Sequence, residues 1–359
     1  MKISVIIPVF NSSRLLEDTL RAVWSGTRVP DELIVVDDKS TESTAGIAEQ
    51  FGTKLVLMPE NVGPAACRNQ GALLSDGDLL VFLDADTCVH PETLELMERH
   101  FLADRDLSAM IGSYDDTPRH PGAVSQFRNL AHCYVHHSSR RAALTFWSGC
   151  GAVQRRWFFD VDGFDERYRR PSIEDIEMGY RMTDRGARIL LDPEICVTHT
   201  KHWTVWSGIV TDVIYRGIPW MALLLERHSA PDDLNLKRHH RIATALTGAA
   251  MTCLLFCVRS AYWAVPSIIL AALALGLDHG LLRFIHRKRG FRLTVITAAM
   301  ILIQNLCKLL ATFGGLIACA FRARSTGRAG YEKRRSRLSD LRQAKESEAV
   351  QISTPSSAP

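Results

Sequence analysis

A short apolar run that ends in two carboxylates is the feature that most constrains this chain. Residues 79–83 are apolar, and Asp84 and Asp86 follow with one residue between them. A run of this length bounded by polar residues predicts a buried strand. Two carboxylates of the same side-chain parity at the strand's carboxyl end suit one Mg²⁺ or Mn²⁺ ion. The alternative is a polar turn between strand and helix, where Asp is common.

Strand and helix patterns alternate around this run. Apolar runs at residues 3–9, 33–36 and 54–58 precede it, with helix patterns between them. This alternation predicts an α/β fold with a mostly parallel, doubly wound sheet flanked by helices. Acidic or glycine-rich residues follow successive strands, so we expect a ligand along the carboxyl ends of the sheet.

The helix expected after Gly63-Pro64 offers an anion site. Pro64 suits the first helical position, and the free N–H groups of a helix N-terminus attract phosphate. Arg68 lies one turn along this helix and is expected to reach out as a bidentate phosphate donor, unless it lies on a solvated face. The chain contains neither GxGxxG after the first strand nor GxxxxGK[ST], which disfavours dinucleotide-binding and P-loop folds.

Charge and cysteine usage exclude other classes. The net charge is +4, and residues 322–345 alone carry nine Lys/Arg and two Asp/Glu. The rest of the chain is therefore slightly acidic, which argues against nucleic-acid binding. The nine cysteines are scattered without a CxxC pair, as expected of reduced thiols in a cytosolic or membrane setting. Residues 3–8 enter a strand with no signal-peptide pattern, so we expect the soluble part in the cytoplasm.

Three downstream patterns follow, and the first two each leave an alternative open. His132 and His136 stand one helical turn apart, either as a metal pair or on a surface helix near a membrane. Ser172 and Asp175 fit a helix capping box. Apolar neighbours mark the opposite side of the helix, so Asp175 can also face a ligand, either instead of capping the helix or in addition to it. Residues 188–191 predict a strand that ends in a turn at Asp192-Pro193.

The ordered set of motifs resembles the family 2 glycosyltransferases, which are inverting enzymes with the GT-A fold. Each motif alone is weak, but together they cover about residues 3–200 in the family's order. The matching segments are VIIPVFN (5–11), VVDDKST (35–41), NVGPAACRNQG (61–71), FLDAD (82–86), GFDE (163–166) and Glu174-Asp175. The resemblance implies a catalytic domain over residues 1–202.

It also implies roles for individual residues. The donor is expected to be a nucleotide-diphospho-sugar, preferably a UDP-sugar, bound by Pro8, Phe10, Asp38, Arg68 and Asp84, with Asp38 accepting a hydrogen bond from the base. Asp86 is implied as a ligand of a divalent cation, Mg²⁺ or Mn²⁺. His199 is expected to complete that site in preference to His202.

The acceptor side is implied by later segments. Asp175 is the implied catalytic base, with Glu174 beside it. Residues 147–152 resemble the family's small-residue segment next to the acceptor, where Gly149 and Gly151 would let the backbone approach a sugar closely.

The chain after residue 202 predicts a membrane region. Aromatic and apolar residues at 203–227 favour an interfacial helix, followed by a linker to residue 240, and Asp212 and Arg216 either face the acceptor or form an i, i+4 ion pair. Residues 242–258 and 260–277 are charge-free apolar runs joined at Arg259. A basic loop at 283–292 precedes residues 293–321, which form one span or a hairpin. A basic, then Ser/Thr/Pro-rich disordered tail at 322–359 is expected to be cytoplasmic.

These observations predict a multi-pass inner (plasma) membrane glycosyltransferase with a cytoplasmic catalytic domain. Its acceptor is expected to be lipid-linked or a glycolipid, in contact with membrane lipids. One alternative is a processive polysaccharide synthase, which the lack of QxxRW after Asp175 disfavours. The other is a catalytically silent membrane scaffold, which the joint presence of Asp38, Asp84, Asp86 and Asp175 disfavours.

Overall fold

A computed structural model describes residues 1–325, which form a mixed α/β domain followed by apolar helices; the predicted tail at 322–359 lies almost entirely outside the described residues. The strands are β1 Ile3–Val9, β2 Glu32–Asp37, β3 Lys54–Leu57, β4 Leu79–Leu83, β5 Thr87–Val89, β6 Leu107–Tyr114, β7 Ala142–Ala143, β8 Cys150–Gln154 and β9 Arg188–His199. The helices of this domain are α1 Ser13–Trp24, α2 Thr44–Gln50, α3 Pro64–Leu74, α4 Thr93–Ala103, α5 Ala123–His137, α6 Arg155–Asp160 and α7 Glu174–Asp184.

The first half of the sheet is parallel, as predicted. Strands β3, β2, β1 and β4 lie side by side in that order and run in the same direction. Every residue of β1 and β4 is buried, which explains why these strands read as continuous apolar runs instead of alternating ones. Their shared direction brings the residues after each strand to one edge of the sheet.

The second half of the sheet is mixed. Strand β8 runs antiparallel to both β4 and β6, whereas β9 runs parallel to β6 and antiparallel to β5. The chain enters β8 at the carboxyl end of β4, where the Asp84 N–H donates to the Gly149 carbonyl at 3.4 Å. Because the chain enters there, β8 runs antiparallel to β4, and the sheet is not parallel throughout.

Strand β9 is longer than the sequence predicts. It continues through Asp192 and Pro193 to His199 instead of turning after residue 191. Its pairing with β6 shifts register between Ile111 and Ser113, and Pro193 lies in the unpaired stretch between the two paired segments. The continuation carries His199 to the edge of the sheet where β4 ends.

The later helices pack against the α/β domain and against one another. They are α8 Val205–Val210, a π-helical segment Thr211–Gly217, α9 Ile218–Glu226, α10 Arg238–Phe256, α11 Ala264–Leu277 and α12 His279–Ser325. The turn between α10 and α11 contains Arg259, as predicted. Two segments, Val205–Glu226 and His279–Phe321, are long and apolar enough to cross a membrane by length and composition.

Residues 283–292 are not a loop, in contrast to the sequence prediction. They belong to α12, which kinks at Gly290, where φ is +78°. The basic side chains here bind the α/β domain: Lys288 pairs with Asp116, and Arg289 donates to Gln126 at 2.9 Å. The basic segment is therefore helical and docked on the α/β domain, and residues 293–321 continue as one helix, which excludes the hairpin.

Candidate active site

The two carboxylates after β4 face different partners. Asp84 accepts a hydrogen bond from Arg68 at 2.7 Å. The Asp86 carboxylate lies 3.8 Å from both the His199 imidazole and the Lys201 ammonium. The chain turns between them, so the shared strand parity expected from the sequence does not hold.

Backbone pairing fixes Asp86 beside His199. Thr87, the first residue of β5, pairs with His199 at the end of β9. The Thr200 N–H and hydroxyl both donate to the Asp86 carbonyl, at 3.0 and 2.9 Å. The ring of Tyr114 stacks on His199 with 4.5 Å between centroids.

The Asp86 and His199 pair fits a divalent cation. Two ligand atoms about 2.1 Å from one ion lie roughly 3.0–3.8 Å apart for bond angles of about 90–130°. The observed 3.8 Å between Asp86 Oδ2 and His199 Nε2 reaches this range and is too long for a hydrogen bond. Burial lowers the pKa of His199, which keeps the imidazole neutral as a metal ligand requires.

Arg68 does not reach out from its helix, in contrast to the sequence expectation. Its side chain is 5% exposed, and its two terminal nitrogens bind Asp84 at 2.7 Å and Glu174 at 3.0 Å. The Glu174 side chain is 4% exposed, so it lies in a buried ion pair instead of at an open acceptor surface. Burial raises the pKa of the Glu174 carboxyl, and Arg68 offsets part of that shift. Arg68 therefore positions Asp84 from behind.

The residues expected to bind the nucleobase lie at the ends of β1 and β2. Pro8 is buried within β1, whereas Phe10, just after it, is 48% exposed. Asp38 is buried, and its carboxylate accepts the Val62 and Gly63 N–H groups at 2.7 and 2.9 Å. Asp38 thus holds the turn that starts α3, and its contact with a base stays a prediction.

Asp175 stands at the start of α7, partly exposed. Its carboxylate accepts from the Ser148 N–H at 3.0 Å, the Ser148 hydroxyl at 3.2 Å and the Ile176 N–H at 2.8 Å. The capping box suggested by the sequence is absent from this helix start, because the Ser172 hydroxyl donates to the Tyr215 carbonyl instead. Asp175 is therefore oriented by Ser148, which sequence reasoning did not single out.

The segment that contains Ser148 also contacts the residues after β4. The Gly149 carbonyl accepts from the Asp84 N–H at 3.4 Å and from the Thr87 hydroxyl at 3.3 Å. Ser148 thus binds Asp175, and the next residue, Gly149, binds the Asp84–Thr87 turn. This link brings the carboxylates of two distant motifs to the same edge of the sheet.

Gly149 and Gly151 are needed for protein packing. A Cβ at Gly149 would lie 2.7 Å from the Trp147 ring, and one at Gly151 would lie 2.4 Å from the Trp147 carbonyl oxygen. Both close contacts are made with the chain itself, and the approach of a sugar to these glycines stays a prediction.

Asp212 and Arg216 do not form the i, i+4 ion pair that the sequence allows. Asp212 accepts both terminal nitrogens of Arg128 at 2.8 Å, which joins the π-helical segment to α5. The Arg128 guanidinium also lies over the Trp203 ring, 4.2 Å from its centroid. Arg216 is exposed, whereas the Asp212 side chain is partly covered by its pairing with Arg128.

His132 and His136 do not lie on a membrane-facing surface. His136 is buried and its Nδ1 lies 2.9 Å from the Gly112 carbonyl. His132 packs between His136 and Tyr114, with ring centroids 4.0 and 4.4 Å away. The two histidines therefore extend the ring stack that supports His199, which their i, i+4 spacing alone cannot reveal.

Comparison with known proteins identifies the N-terminal domain. Residues 4–166 match the model of the glycosyl transferase family 2. This domain belongs to the family 2 glycosyltransferases. Its mixed sheet with flanking helices is the GT-A fold that the motifs imply. The match ends before Asp175 and His199, so the roles of these two residues are not part of it.

Relatives of the glycosyltransferase domain act on different molecules. Validoxylamine A glucosyltransferase of Streptomyces hygroscopicus subsp. limoneus is 26% identical over 226 residues, covering 54% of this chain and 50% of that protein. Pre-mycofactocin glycosyltransferase of Mycobacterium tuberculosis is 28% identical over 228 residues, covering 60% and 46%. The chain thus spans about half the length of these curated relatives. A mannosyltransferase from Pyrobaculum calidifontis, solved with GDP-Man and Mn²⁺, is 16% identical, with a TM-score of 0.47 and coverage of 89% and 86%.

Two residues of the glycosyltransferase domain were missed at the level of sequence. Ser148 lies within the small-residue segment 147–152, but its bond to Asp175, 27 residues later, could not be predicted. Tyr114 ends β6, and the rule that ligands gather at strand ends would have found it. Burial raises the pKa of Tyr114, so its hydroxyl stays protonated beside Asp86.

Proposed function

We propose that this protein is an inverting glycosyltransferase that moves a sugar from a nucleotide-diphospho-sugar, preferably a UDP-sugar, to a hydroxyl group of a membrane-associated acceptor. The acceptor class is a lipid-linked sugar or a glycolipid. The catalytic domain lies on the cytoplasmic side of the inner membrane, and the later helices form a multi-pass anchor.

One observation carries the proposal. Ser148 holds the Asp175 carboxylate through two hydrogen bonds, and the next residue, Gly149, binds the turn that contains Asp84. A carboxylate base and donor-binding carboxylates are thus attached to one short segment. Inverting transfer needs a base near the donor site, because the base activates the acceptor that attacks the anomeric carbon from the face opposite the leaving group.

Asp175 acts as the general base. It removes the proton of the acceptor hydroxyl while that oxygen attacks the anomeric carbon. Three hydrogen bonds fix the orientation of the ionised carboxylate before the substrate arrives. Loss of the base is expected to reduce the rate by about 10²–10⁴-fold.

The donor lies along the ends of β1, β2 and β4. The exposed ring of Phe10 stacks on the base, and Asp84, held from behind by Arg68, binds the ribose or the donor sugar. A divalent cation held by Asp86 and His199 would neutralise the diphosphate as it leaves. Lys201, whose ammonium lies 3.8 Å from Asp86, adds positive charge on the same side.

Exposed apolar side chains on the later helices support a membrane-associated acceptor. Large apolar residues are exposed on α10, on α11 and in the turn between them, including Leu255, Ile268 and Val258. Val205–Glu226, which is long and apolar enough to cross a membrane, includes the π-helical segment that pairs with Arg128 of α5. An acceptor with an apolar tail would approach the catalytic domain along this surface.

The test is a screen of radiolabelled nucleotide sugars with the detergent-purified full chain, lipid acceptors and Mn²⁺ or Mg²⁺. Wild type is expected to give product of inverted anomeric configuration. Asp175→Asn should lose about 10²–10⁴-fold in kcat with the donor Kd retained. The control is Asp106→Asn, an equivalent change at an exposed residue in the turn before β6.

Three outcomes oppose the proposal. Retained anomeric configuration contradicts the inverting mechanism. Activity of Asp175→Asn equal to that of Asp106→Asn rules out Asp175 as the base. A long polymer from a single acceptor favours a processive synthase instead.

A further inference from the structure

Three metal-ligating side chains meet away from the catalytic crevice, where α10 begins and α11 passes into α12. His239 and His240 lie in the first turn of α10, and Asp278 lies between α11 and α12. One ligand atom from each residue falls within 4.8 Å of the other two. Asp278 is buried, and both histidines are partly exposed.

The spacing fits a single ion of the zinc class. Two ligand atoms about 2.0–2.1 Å from a tetrahedral zinc ion lie roughly 3.3 Å apart. The Nδ1 of His240 lies 3.1 Å from the Asp278 carboxylate, already close to that separation. Because its ligand atom lies within 4.8 Å of the other two, His239 needs an approach of at most about 1.5 Å, which a χ rotation of a partly exposed side chain supplies.

A simple ion pair accounts for only two of the three residues. His240 and Asp278 form a contact that joins α10 to the start of α12 without any metal. His239 takes no part in that contact. Among the side chains that the structure describes, which exclude those of Asn235 and of residues 322–325, it has no hydrogen-bond partner, and its ring lies 4.0 Å from the His240 ring. An imidazole placed beside a His–Asp pair with no bond of its own is the feature that an ion pair leaves unexplained.

We propose that His239, His240 and Asp278 bind one Zn²⁺-class divalent cation, with solvent completing the coordination. Two imidazoles and one carboxylate select Zn²⁺ and its transition-metal neighbours over Mg²⁺. The ion clamps the first turn of α10 to the α11–α12 corner. It is separate from the cation proposed at Asp86 and His199, which belongs to the glycosyltransferase domain.

His239→Ala is the variant that separates the two explanations. The His240–Asp278 ion pair survives this change, whereas a three-ligand site loses a ligand. The matched control is His286→Ala, which removes an exposed histidine of α12. Asp86→Asn serves as a second background, because it disables the proposed catalytic cation site and leaves this one intact.

The experiment measures zinc per chain by mass spectrometry after the detergent-purified full chain is dialysed with Zn²⁺ and then against metal-free buffer. Wild type and His286→Ala are expected to keep about one more zinc per chain than His239→Ala, and the same difference is expected in the Asp86→Asn background. Zn²⁺ should raise the Tm of wild type more than that of His239→Ala.

Equal zinc content in wild type and His239→Ala overturns the proposal and leaves the His240–Asp278 ion pair as the explanation. A difference that disappears in the Asp86→Asn background also overturns it, because the zinc then belongs to the catalytic crevice. His239→Gln provides the same comparison if His239→Ala fails to fold, and circular dichroism checks each variant.

Discussion

Replacing Arg68 by methionine tests whether the buried ion pairs hold the candidate site together. Arg68 binds Asp84 and Glu174 at the same time, at 2.7 and 3.0 Å. Methionine keeps much of the aliphatic volume and removes the charge. The Asp84 side chain is 35% exposed and regains hydration, whereas Glu174 is left ionised, buried and without its cation.

The expected cost follows from that asymmetry. Leaving a buried charge unpaired destabilises a protein by about 3–5 kcal/mol. Glu174→Gln is expected to cost less, about 1–3 kcal/mol, because Arg68 keeps Asp84 and the amide loses only one of the hydrogen bonds that Glu174 accepts from Arg68 and from the Ser172 N–H. The double variant Arg68→Met/Glu174→Gln should be more stable than Arg68→Met, since no unpaired charge remains in it.

The pH dependence provides a second signature. Without Arg68, burial raises the folded-state pKa of Glu174 further above its unfolded value. A raised folded-state pKa gives stability that is present at low pH and is lost as the pH rises through that value. The deficit of Arg68→Met should therefore shrink as the pH falls towards the ordinary range of a Glu carboxyl, and Glu174→Gln should abolish the trend.

The assay is urea-induced unfolding of the purified full chain, followed by the fluorescence of its seven tryptophans at several pH values. The reasoning is refuted if Arg68→Met costs no more than Glu174→Gln. It is also refuted if adding Glu174→Gln to Arg68→Met lowers stability further.

Two further predictions concern packing and pH. Gly179→Ala should destabilise the domain by at least about 1–3 kcal/mol, because the new Cβ would lie 2.2 Å from the Phe146 backbone nitrogen. Gly46→Ala, with nothing within 4 Å of its Cβ, should stabilise α2 by about 0.5–1 kcal/mol, and thermal melting of both variants checks the contrast. Burial alone would raise the pKa of Asp115, but the hydrogen bond with His90 helps to bring that pKa below its ordinary value of 3.8. A lowered folded-state pKa gives stability that is lost as the pH falls below about 3.8, so Asp115→Asn should flatten the acid branch of the stability curve, and parallel branches would contradict this.

The parallel strands could be predicted because their physics is local. Buried parallel strands need continuous apolar runs, and residues 79–83 and 33–36 have them. The acidic residues that follow these strands lie at one edge of the sheet, because the strands run in the same direction. The direction of β8 could not be read this way, because the entry of the chain at Gly149 decides it and that contact spans more than 60 residues of sequence.

The side-chain partners of the candidate site were harder to predict. The position of Arg68 in α3 is evident from the sequence, but its burial depends on Glu174, 106 residues away. Ser148 likewise binds a carboxylate 27 residues ahead. Periodicity indicates which face of a helix is apolar and gives no information on which distant carboxylate covers a charged residue on it.

The helices after residue 202 are tied to the wall of the candidate site through the π-helical segment Thr211–Gly217. Asp212 binds Arg128 of α5, the Tyr215 carbonyl accepts from Ser172, and the Tyr215 hydroxyl accepts from Arg170 at 2.9 Å. Ser172 lies three residues before Asp175, so the loop that leads into the proposed base rests directly on this segment. The π-helical geometry allows these inward polar contacts within a stretch that is otherwise apolar.

The boundary drawn at residue 202 separates two sequence patterns, but the contacts that orient the loop before Asp175 cross it. Val205–Glu226 therefore forms part of the wall of the candidate site as well as a candidate membrane segment.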